Sequence, residues 1–320
     1  MQHFQSIRLD SPHSGPRLIV TGAVHGNEVC GTAAIRRVLA EFEQGQLQLL
    51  RGSLTLVPIT NPRAYALGQR GADRNLNRRL RPNPQPQQYE DHVANWLCPL
   101  LAQHEVLLDL HSFQSPGQAF VMVGPPNNSG SLQPFAQAER ELALAKVLGV
   151  QHAVDGWLQT YAQGVATRRA WADILPEAQR AQFDLDEAYG VGTTEAMRAM
   201  GGLALTLECG QHQDPAAPDV GWRAIKNTLV HLGMIEGPAP AVQSMQGLSL
   251  FAVFDKAHDQ DHFARPWVSF DRVHTGQLIG HRANGQAVHA SCDGAIVFPN
   301  PQAKAGQEWF YLARETERFN

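Results

Sequence analysis

A histidine and a glutamate that follow the first apolar segment are the clearest candidates for chemistry in this sequence. The segment reads Val20-Thr-Gly-Ala-Val-His25-Gly-Asn-Glu28, and its apolar start indicates a buried strand that turns at glycines into a helix. An imidazole and a carboxylate three positions apart can converge on one cation, and two histidines with one glutamate are a recurrent ligand set of catalytic zinc. Taken alone, His25 and Glu28 also fit a hydrogen-bonded histidine and a charge in the first turn of a helix.

A second histidine ends another apolar segment. In Val106-Leu-Leu-Asp-Leu-His-Ser112, His111 closes a buried-looking strand, and Asp109 points to the same side two residues earlier. Ligands of an open α/β sheet gather outside the carboxyl ends of its strands, so His111 can meet His25 and Glu28 there. Asp109 is then either a carboxylate that orients an imidazole or a strand-end turn residue.

Glu208 ends a third apolar strand, in the sequence Leu203-Ala-Leu-Thr-Leu-Glu-Cys-Gly210. Burial of an unpaired glutamate costs several kcal/mol, which favours a functional reason for its position. Beside a zinc ion, such a glutamate can act as general base towards water and then as general acid. The alternative is a strand-end glutamate in a surface salt bridge.

A loop rich in arginine and asparagine follows the second predicted strand. It contains Asn61-Pro-Arg63 and the segment from Gln69 to Arg78, which includes Arg70, Arg74 and Asn77. Arginine offers a planar fork of donors that matches carboxylates, and near a metal it can stabilise an oxyanion. Arg79 and Arg81 fit a solvated loop.

The elements that must position these residues alternate between strand and helix, which is typical of an α/β fold. Predicted strands are Arg17–Val24, Ser53–Ile59, Val106–Leu110, Phe120–Val123 and Leu203–Glu208. Predicted helices are Glu28–Glu41, Glu90–Gln103, Gln133–Leu148, Thr193–Met200 and Val220–Leu232. We therefore expect a central mixed sheet flanked by helices.

The pattern changes near Gly237, after which short strand-like pieces alternate with turn residues. Leu248–Phe254 and Ala295–Phe298 are examples, and glycine-containing turns recur about every ten residues. We expect a zinc-dependent catalytic α/β domain at residues 1–238 and a smaller all-β domain at residues 239–320.

Composition and charge argue against a protein that binds nucleic acid, a membrane protein and a protein built on disulfides. Of 320 residues, 26 are basic and 30 acidic, a net charge of −4, and no basic cluster predicts binding to nucleic acid or to an acidic membrane. The N-terminus lacks the pattern of a signal peptide and no apolar segment is long enough to span a membrane, so we expect a cytoplasmic protein. The four cysteines are scattered without a CxxC motif, which is typical of reduced thiols.

Together, four motifs resemble the succinylglutamate desuccinylase/aspartoacylase family, which is related to the zinc carboxypeptidases. They are His25-Gly-Asn-Glu28, Arg70 to Arg78, Asp109-Leu-His111 and Thr206-Leu-Glu208-Cys-Gly210, in this order. The resemblance spans roughly residues 17 to 235, and the β-rich tail looks like the family's C-terminal domain.

The resemblance implies one Zn²⁺ per chain and a role for seven residues. Zinc would be held by His25, Glu28 and His111; Glu208 would match the catalytic glutamate, Arg70 the arginine that polarises the scissile carbonyl, and Asn77 with Arg78 the pair that holds a substrate carboxylate. One position departs from the pattern, because Asn75 replaces an aspartate that often supports a zinc histidine. Either Asn75 serves as a neutral partner, or Asp73 or Asp109 takes that role.

The predicted function is zinc-dependent hydrolysis of the N-acyl amide bond, or less favourably an ester bond, of a small carboxylated amino-acid derivative. Rival hypotheses are a zinc carboxypeptidase or amidase acting on peptides and a non-catalytic binding protein on the same fold. Basic residues near the site favour an acidic substrate, and Tyr161, Arg168 and Arg169 are further candidates for contacts with it. The acyl group and the amino acid stay open, and the sequence is compatible with a homo-oligomer.

Overall fold

A computed structural model describes residues 3–174, 177 and 185–319. It contains a large mixed sheet with helices on both faces and a small separate antiparallel sheet, as expected for the α/β class. The strands are β1 (Ile7–Asp10), β2 (Arg17–Gly22), β3 (Ser53–Val57), β4 (Val106–Phe113), β5 (Phe120–Met122), β6 (His152–Asp155), β7 (Leu203–Gln211), β8 (Gln246–Asp255), β9 (His262–Phe263), β10 (Arg272–Val273), β11 (Leu278–His281), β12 (Ala287–His289), β13 (Gly294–Val297) and β14 (Glu308–Thr316).

The helices are α1 (Cys30–Glu43), α2 (Pro62–Leu67), α3 (Tyr89–Leu101), α4 (Ala138–Ala145), α5 (Trp157–Ile174), α6 (Thr193–Ala199) and α7 (Ala217–His231). All five predicted helices and all five predicted strands of the first 238 residues are confirmed, with shifted ends. Within the described part of these residues, β1, β6, α2, α5 and a short 3-10 helix at Glu187–Gly190 were not predicted. In α5 the buried residues Leu158, Tyr161, Val165, Arg168 and Ala172 follow helical spacing, but the arginine interrupts the apolar pattern.

The large sheet has the order β1-β3-β2-β4-β7-β5-β6-β8-β14-β13-β10. Strands β3, β2, β4 and β7 are parallel, whereas β5 runs antiparallel to β7. Successive residues of the central strands alternate between two apolar layers, so that Leu108 packs with α1 and α7 while Leu107 packs with α3. Burial on both faces explains why these strands are almost continuously apolar.

The strands of the C-terminal region extend this sheet. Strand β8 pairs in parallel with β6, and β14 pairs with β8 in antiparallel fashion. Strands β12, β11 and β9 form the small second sheet. The division into domains at residue 238 remains a prediction. Among the described helices, none has the length and apolar character needed to cross a bilayer.

Candidate metal centre

The carboxyl ends of β2, β4 and β7 lie side by side and carry the predicted site residues. In the parallel ladders, Thr21 of β2 is paired with Asp109 of β4, and His111 of β4 with Glu208 of β7. The pairing places Glu208 beside His111 although 97 positions separate them in the sequence. This agrees with the expectation that ligands gather at this edge of the sheet.

The turn between β2 and α1 brings His25 and Glu28 to the same edge. Ala23 has a φ of 48°, in the left-handed region, and this ends the strand two residues earlier than predicted. A side chain at Gly26 would lie 2.0 Å from the carbonyl carbon of Ala64 in α2, so only glycine allows this close approach. The turn is therefore held tightly against the neighbouring helix.

Three buried side chains converge in this turn and on β4. One ligand atom from each of His25, Glu28 and His111 lies within 4.8 Å of the other two. Nδ1 of His25 is 2.7 Å from Oε1 of Glu28, and Nδ1 of His111 is 2.9 Å from Oε2. Both imidazoles therefore point the same ring nitrogen at one carboxylate.

The hydrogen bonds of His25 show that this centre fits a cation. Oδ1 of Asn75 accepts a hydrogen bond from the backbone N–H of Asn77 and lies 2.9 Å from Nε2 of His25, so Nε2 carries the proton. Burial lowers the pKa of His25 to about 4, which leaves the ring neutral at pH 7. Its Nδ1 lone pair then faces an oxygen of Glu28, and two acceptors at this distance require a cation or a proton between them.

His111 is held in the same way by a carboxylate. Its Nε2 lies 2.8 Å from Oδ2 of Asp109, whose other oxygen accepts a hydrogen bond from the hydroxyl of Thr21 at 2.7 Å. The hydroxyl of Thr193 also donates to Asp109. Burial alone would lower the pKa of His111, but Asp109 and Glu28 outweigh it and raise the pKa well above its ordinary value.

Asn75, Asp73 and Asp109 were the three candidates for a partner of a histidine at the site, and two of them contact a histidine in the structure. Asn75 contacts His25 and Asp109 contacts His111. Asp73 instead lies 3.2 Å from a guanidinium nitrogen of Arg63 and accepts a hydrogen bond from the backbone of Tyr89. Such contacts fix the tautomer and the orientation of metal-binding imidazoles.

Glu208 is buried next to this centre, and its Oε2 has no hydrogen-bond partner among the described residues. Burial raises the pKa of its carboxyl group well above the ordinary value, and the nearby His111 opposes that effect only in part. A buried carboxyl group that lacks a fixed partner and faces a cavity can exchange a proton with a bound molecule.

His25, Glu28, His111 and Glu208 line one cavity of about 470 Å³, a size that suits a small molecule. Arg70 is half-exposed there, and its Nη1 lies 3.0 Å from Oε1 of Glu28. Asn77 accepts a hydrogen bond from the backbone N–H of Thr193 through Oδ1, while its Nδ2 donates to none of the described residues. The structure thus brings all seven predicted site residues to one cavity.

Arg78 is buried in the wall of this cavity against a residue that sequence reasoning missed. Its Nε and Nη2 lie 3.2 and 3.0 Å from Oε1 of Glu308, the first residue of β14. The guanidinium also lies over the ring of Trp157, 4.8 Å from its centroid. In the sequence, the only sign of this residue is a charge, Glu308, directly before the apolar run Trp309-Phe310-Tyr311. Nothing in the sequence indicates which residue it pairs with.

The three further candidates have different surroundings. Tyr161 lines the cavity. Arg168 is buried behind Tyr161 and forms a two-pronged ion pair with Asp255 at 2.5 and 2.9 Å. Arg169 is exposed, lies 3.5 Å from Glu187 and does not line the cavity.

Comparisons with known proteins find related sequences and structures. The sequence model of the succinylglutamate desuccinylase/aspartoacylase catalytic domain matches residues 14–220. An N-alpha-acetyl-L-2,4-diaminobutyric acid deacetylase from Halomonas elongata is 26% identical over 226 residues, which are 70% of this chain and 56% of that protein. The chain thus spans little more than half the length of this curated relative.

Solved structures share the fold. A product-bound ectoine utilization protein EutE (DoeB) from Ruegeria pomeroyi superposes with a TM-score of 0.69 at 18% identity, covering 97% of this chain and 88% of the other. A succinylglutamate desuccinylase/aspartoacylase from Rhodobacter sphaeroides gives the same TM-score and identity, with 98% and 90% coverage.

Proposed function

Because the chain belongs to the succinylglutamate desuccinylase/aspartoacylase family, we propose that it is a zinc-dependent hydrolase that cleaves the N-acyl amide bond of a small carboxylated amino-acid derivative. The observation that carries the proposal is the pair of facing acceptors on His25 and Glu28, at 2.7 Å, beside the unpartnered oxygen of Glu208. The first feature fits a cation between the two atoms, and the second provides an acid-base group at the same cavity.

His25, Glu28 and His111 would hold one zinc ion, through Nδ1 of each imidazole and the carboxylate between them. When bound, zinc acts as a Lewis acid that lowers the pKa of a water molecule and polarises a carbonyl oxygen. Two histidines with one glutamate match the ligand set of catalytic zinc sites that keep a position open for water or substrate.

Glu208 would act as general base and then as general acid. Its burial and missing partner suit a carboxyl group that takes a proton from the attacking water and returns it to the leaving nitrogen. Arg70 would face the carbonyl oxygen, because its guanidinium reaches the metal centre through one nitrogen and leaves other donors for an oxyanion.

Asn77 and Arg78 would hold a carboxylate of the substrate. The Nδ2 group of Asn77 is available as a donor, because its Oδ1 already accepts from Thr193 and this contact fixes the orientation of the amide. Arg78 uses three of its five N–H groups on Glu308 and on the backbone oxygen of Asn77, which leaves two for a ligand.

The comparisons support removal of an acyl group. The relative from Halomonas elongata is a deacetylase, and the family model is named for two acyl-amide hydrolases. A peptide-cleaving amidase is less favoured because residues of the C-terminal region, such as Phe298 and Tyr311, line the cavity. A binding protein without catalysis gives no reason for the unpaired carboxyl group of Glu208.

A turnover screen of zinc-loaded protein tests this function. N-acyl amino acids with different acyl groups are compared with dipeptides, and protein stripped of metal by a chelator serves as control. We expect release of free amino acid from the N-acyl compounds only, with loss on chelation and recovery on addition of zinc. Faster cleavage of dipeptides, or turnover that survives chelation, would contradict the proposal.

A further inference from the structure

His212 lies directly after β7 and lines the cavity together with Glu208, although the proposed function gives it no role. The pairing of β7 with β4 shifts by one residue between Glu208 and Gln211, so β7 bulges there. Gly210, with a φ of 141°, lies within the bulge. Bulges re-aim side chains and are frequent beside active sites. This bulge separates the proposed acid-base group from a second titratable group at the same cavity.

Ser112 holds one nitrogen of the His212 ring. Its hydroxyl oxygen lies 2.8 Å from Nδ1, and its backbone N–H donates to Oε2 of Glu28 at 3.1 Å, so Ser112 contacts both the metal centre and His212. The thiol of Cys30 also lies near this hydroxyl, but it is a weak acceptor, and it donates to the backbone oxygen of His111. The hydroxyl proton therefore goes to Nδ1 of His212, and a neutral ring carries its own proton on Nε2.

The second nitrogen of this ring is a donor without a partner. Nε2 of His212 makes no hydrogen bond within the described part of the chain, and the ring is partly exposed at the cavity. Burial lowers the pKa of His212 and Arg70 adds to this effect, whereas Glu28 opposes it, so the ring is neutral at pH 7. A zinc ion on Glu28 would add positive charge and favour the neutral ring further.

His104 shows how a histidine with a purely structural role differs. Its Nε2 lies 2.7 Å from the hydroxyl of Thr55, and its Nδ1 lies 2.8 Å from the backbone oxygen of Leu100. Both nitrogens thus have partners within the protein, and the ring does not line the cavity. His212 makes the same contact with a hydroxyl, but its second nitrogen is left for a bound molecule.

His212 and Arg70 are both connected to the metal centre through Glu28. Nη1 of Arg70 lies 3.0 Å from Oε1 of this carboxylate, whereas Ser112, which holds His212, donates to Oε2. Hydrolysis of an amide at this centre places negative charge on the acyl oxygen, and fixed donors aimed at that oxygen stabilise the charge. A neutral imidazole is able to serve as such a donor.

We propose that His212 is a further catalytic residue of the hydrolysis, and that its Nε2–H donates a hydrogen bond to the acyl oxygen as negative charge develops there. Ser112 is then a positioning residue, because its hydroxyl holds the ring in the tautomer with the proton on Nε2. His212 transfers no proton, and Glu208 keeps the acid-base role. This assignment rests on the proposed function, because it adds a residue to that reaction.

Steady-state kinetics of zinc-loaded variants test the role of His212, with the N-acyl amino acid that the wild type cleaves fastest. His212→Phe keeps a ring but removes the donor, so kcat should fall about 10- to 100-fold with KM nearly unchanged, the usual size of one hydrogen bond to a charged group. His212→Gln keeps an N–H donor and should recover most of kcat. His104→Phe should lower stability and leave kcat unchanged. A zinc assay of each variant detects loss of metal.

A double-mutant cycle tests the role of Ser112. Ser112→Ala alone should lower kcat about 2- to 10-fold, the usual size of one neutral hydrogen bond. In the His212→Phe background the same change should have no further effect, because the hydroxyl acts through the ring. Losses that add up in the double variant would refute the positioning role.

Two readouts do not depend on turnover. In the ¹⁵N spectrum of metal-free protein with labelled histidines, the signal that disappears in His212→Phe should report a proton on Nε2, and in Ser112→Ala it should report a mixture of tautomers. Acetohydroxamate is a small acyl compound that binds zinc and offers an acyl oxygen. Calorimetry should find its affinity for zinc-loaded protein about tenfold lower in His212→Phe, and less reduced in His212→Gln.

The outcomes separate the role of His212 from the proposed function. If N-acyl compounds are cleaved but His212→Phe changes only KM, or His212→Gln with bound zinc is as slow as His212→Phe, the role is refuted while the hydrolase remains. If no N-acyl compound is cleaved, the proposed function fails, and weaker or equal binding of acetohydroxamate by His212→Phe supports or refutes the contact with an acyl oxygen. A proton on Nδ1 in the metal-free wild type would also refute the role. Should His212→Phe fail to fold, His212→Ala is expected to give the same losses.

Discussion

The two halves of the cavity differ in how far the protein alone satisfies their polar groups. At the metal centre, Nδ1 of His25 faces an oxygen of Glu28 at 2.7 Å although both atoms are acceptors, and Oε2 of Glu208 has no described partner. In the other half, Arg78 is paired with Glu308 and packed on Trp157. The first half lacks a cation or a proton between two facing acceptors, whereas the charged groups of the second half, Arg78 and Glu308, are paired before any ligand arrives. In this sense of charge pairing we call them the incomplete and the complete half.

This difference indicates that the two halves of the cavity have different roles. Unsatisfied buried groups cost free energy, so a site keeps them where a bound species repays the cost. Polar groups that are paired within the protein cost little free energy when no ligand is bound. They select ligands by charge and shape. We infer that the residues of the incomplete half catalyse the reaction and that those of the complete half determine the substrate specificity.

The largest effect expected at the incomplete half is loss of the metal. His111→Ala removes one of three ligands and leaves Glu28 with a single histidine. Metal analysis after gel filtration should find one zinc per wild-type chain and almost none in the variant. Stoichiometric zinc in His111→Ala would show that the ion binds elsewhere.

Glu208→Gln should leave zinc bound and abolish most of the turnover. The amide keeps the size of the side chain but cannot take or return a proton, so kcat should fall about 10²- to 10⁴-fold. Steady-state kinetics beside a zinc assay separates this result from loss of metal. Turnover close to that of the wild type would refute the role of Glu208 as the acid-base group.

In the complete half, the ion pair of Arg78 and Glu308 should make the stability of the protein depend on pH. Glu308 has a pKa of about 2 in the folded protein against an ordinary 4.5, so its ionised form is stabilised by folding. The contribution is present above pH 4.5 and disappears as the pH falls towards 2, and it amounts to about 3 kcal/mol. Urea unfolding of metal-free wild type and Glu308→Gln should give a difference that shrinks from pH 5 to pH 3; a constant difference would contradict the ion pair.

The smallest effect concerns the partner of His25. Asn75→Ala removes the acceptor that fixes the proton on Nε2, and loss of such a partner usually lowers metal affinity about 10- to 100-fold. Asn75→Asp restores an acceptor and should recover most of the affinity. Competition with a zinc-binding dye measures all three proteins. Equal affinities would mean that Asn75 does not orient the imidazole.

The same contrast explains what the sequence could predict. His25, Glu28, His111 and Glu208 stand at the ends of apolar strands, and the geometry of a parallel sheet brings strand ends together. These residues could therefore be grouped without coordinates. Membership of the family is shown, whereas the roles of the individual residues remain proposals.

The pairing of Arg78 with Glu308 in the complete half could not be predicted from the sequence. Glu308 lies 230 positions after Arg78, and no periodic pattern connects β14 with the loop before α3. The sequence therefore gave no sign that Arg78, one of the basic residues near the site, has a carboxylate partner. Helix α5, which carries Trp157 and Tyr161, was also missed, because Arg168 interrupts its apolar face and pairs with Asp255 from the distant strand β8. Contacts that depend on pairing between distant elements are the ones that required the structure.

The most direct test of the central claim is a crystal structure of the zinc-loaded protein with anomalous data at the zinc edge. We predict one peak per chain, about 2.0 to 2.2 Å from Nδ1 of His25, Nδ1 of His111 and an oxygen of Glu28. A crystal in which these three side chains are ordered but no peak lies between them, or in which the zinc peak lies only on other residues, would contradict the account.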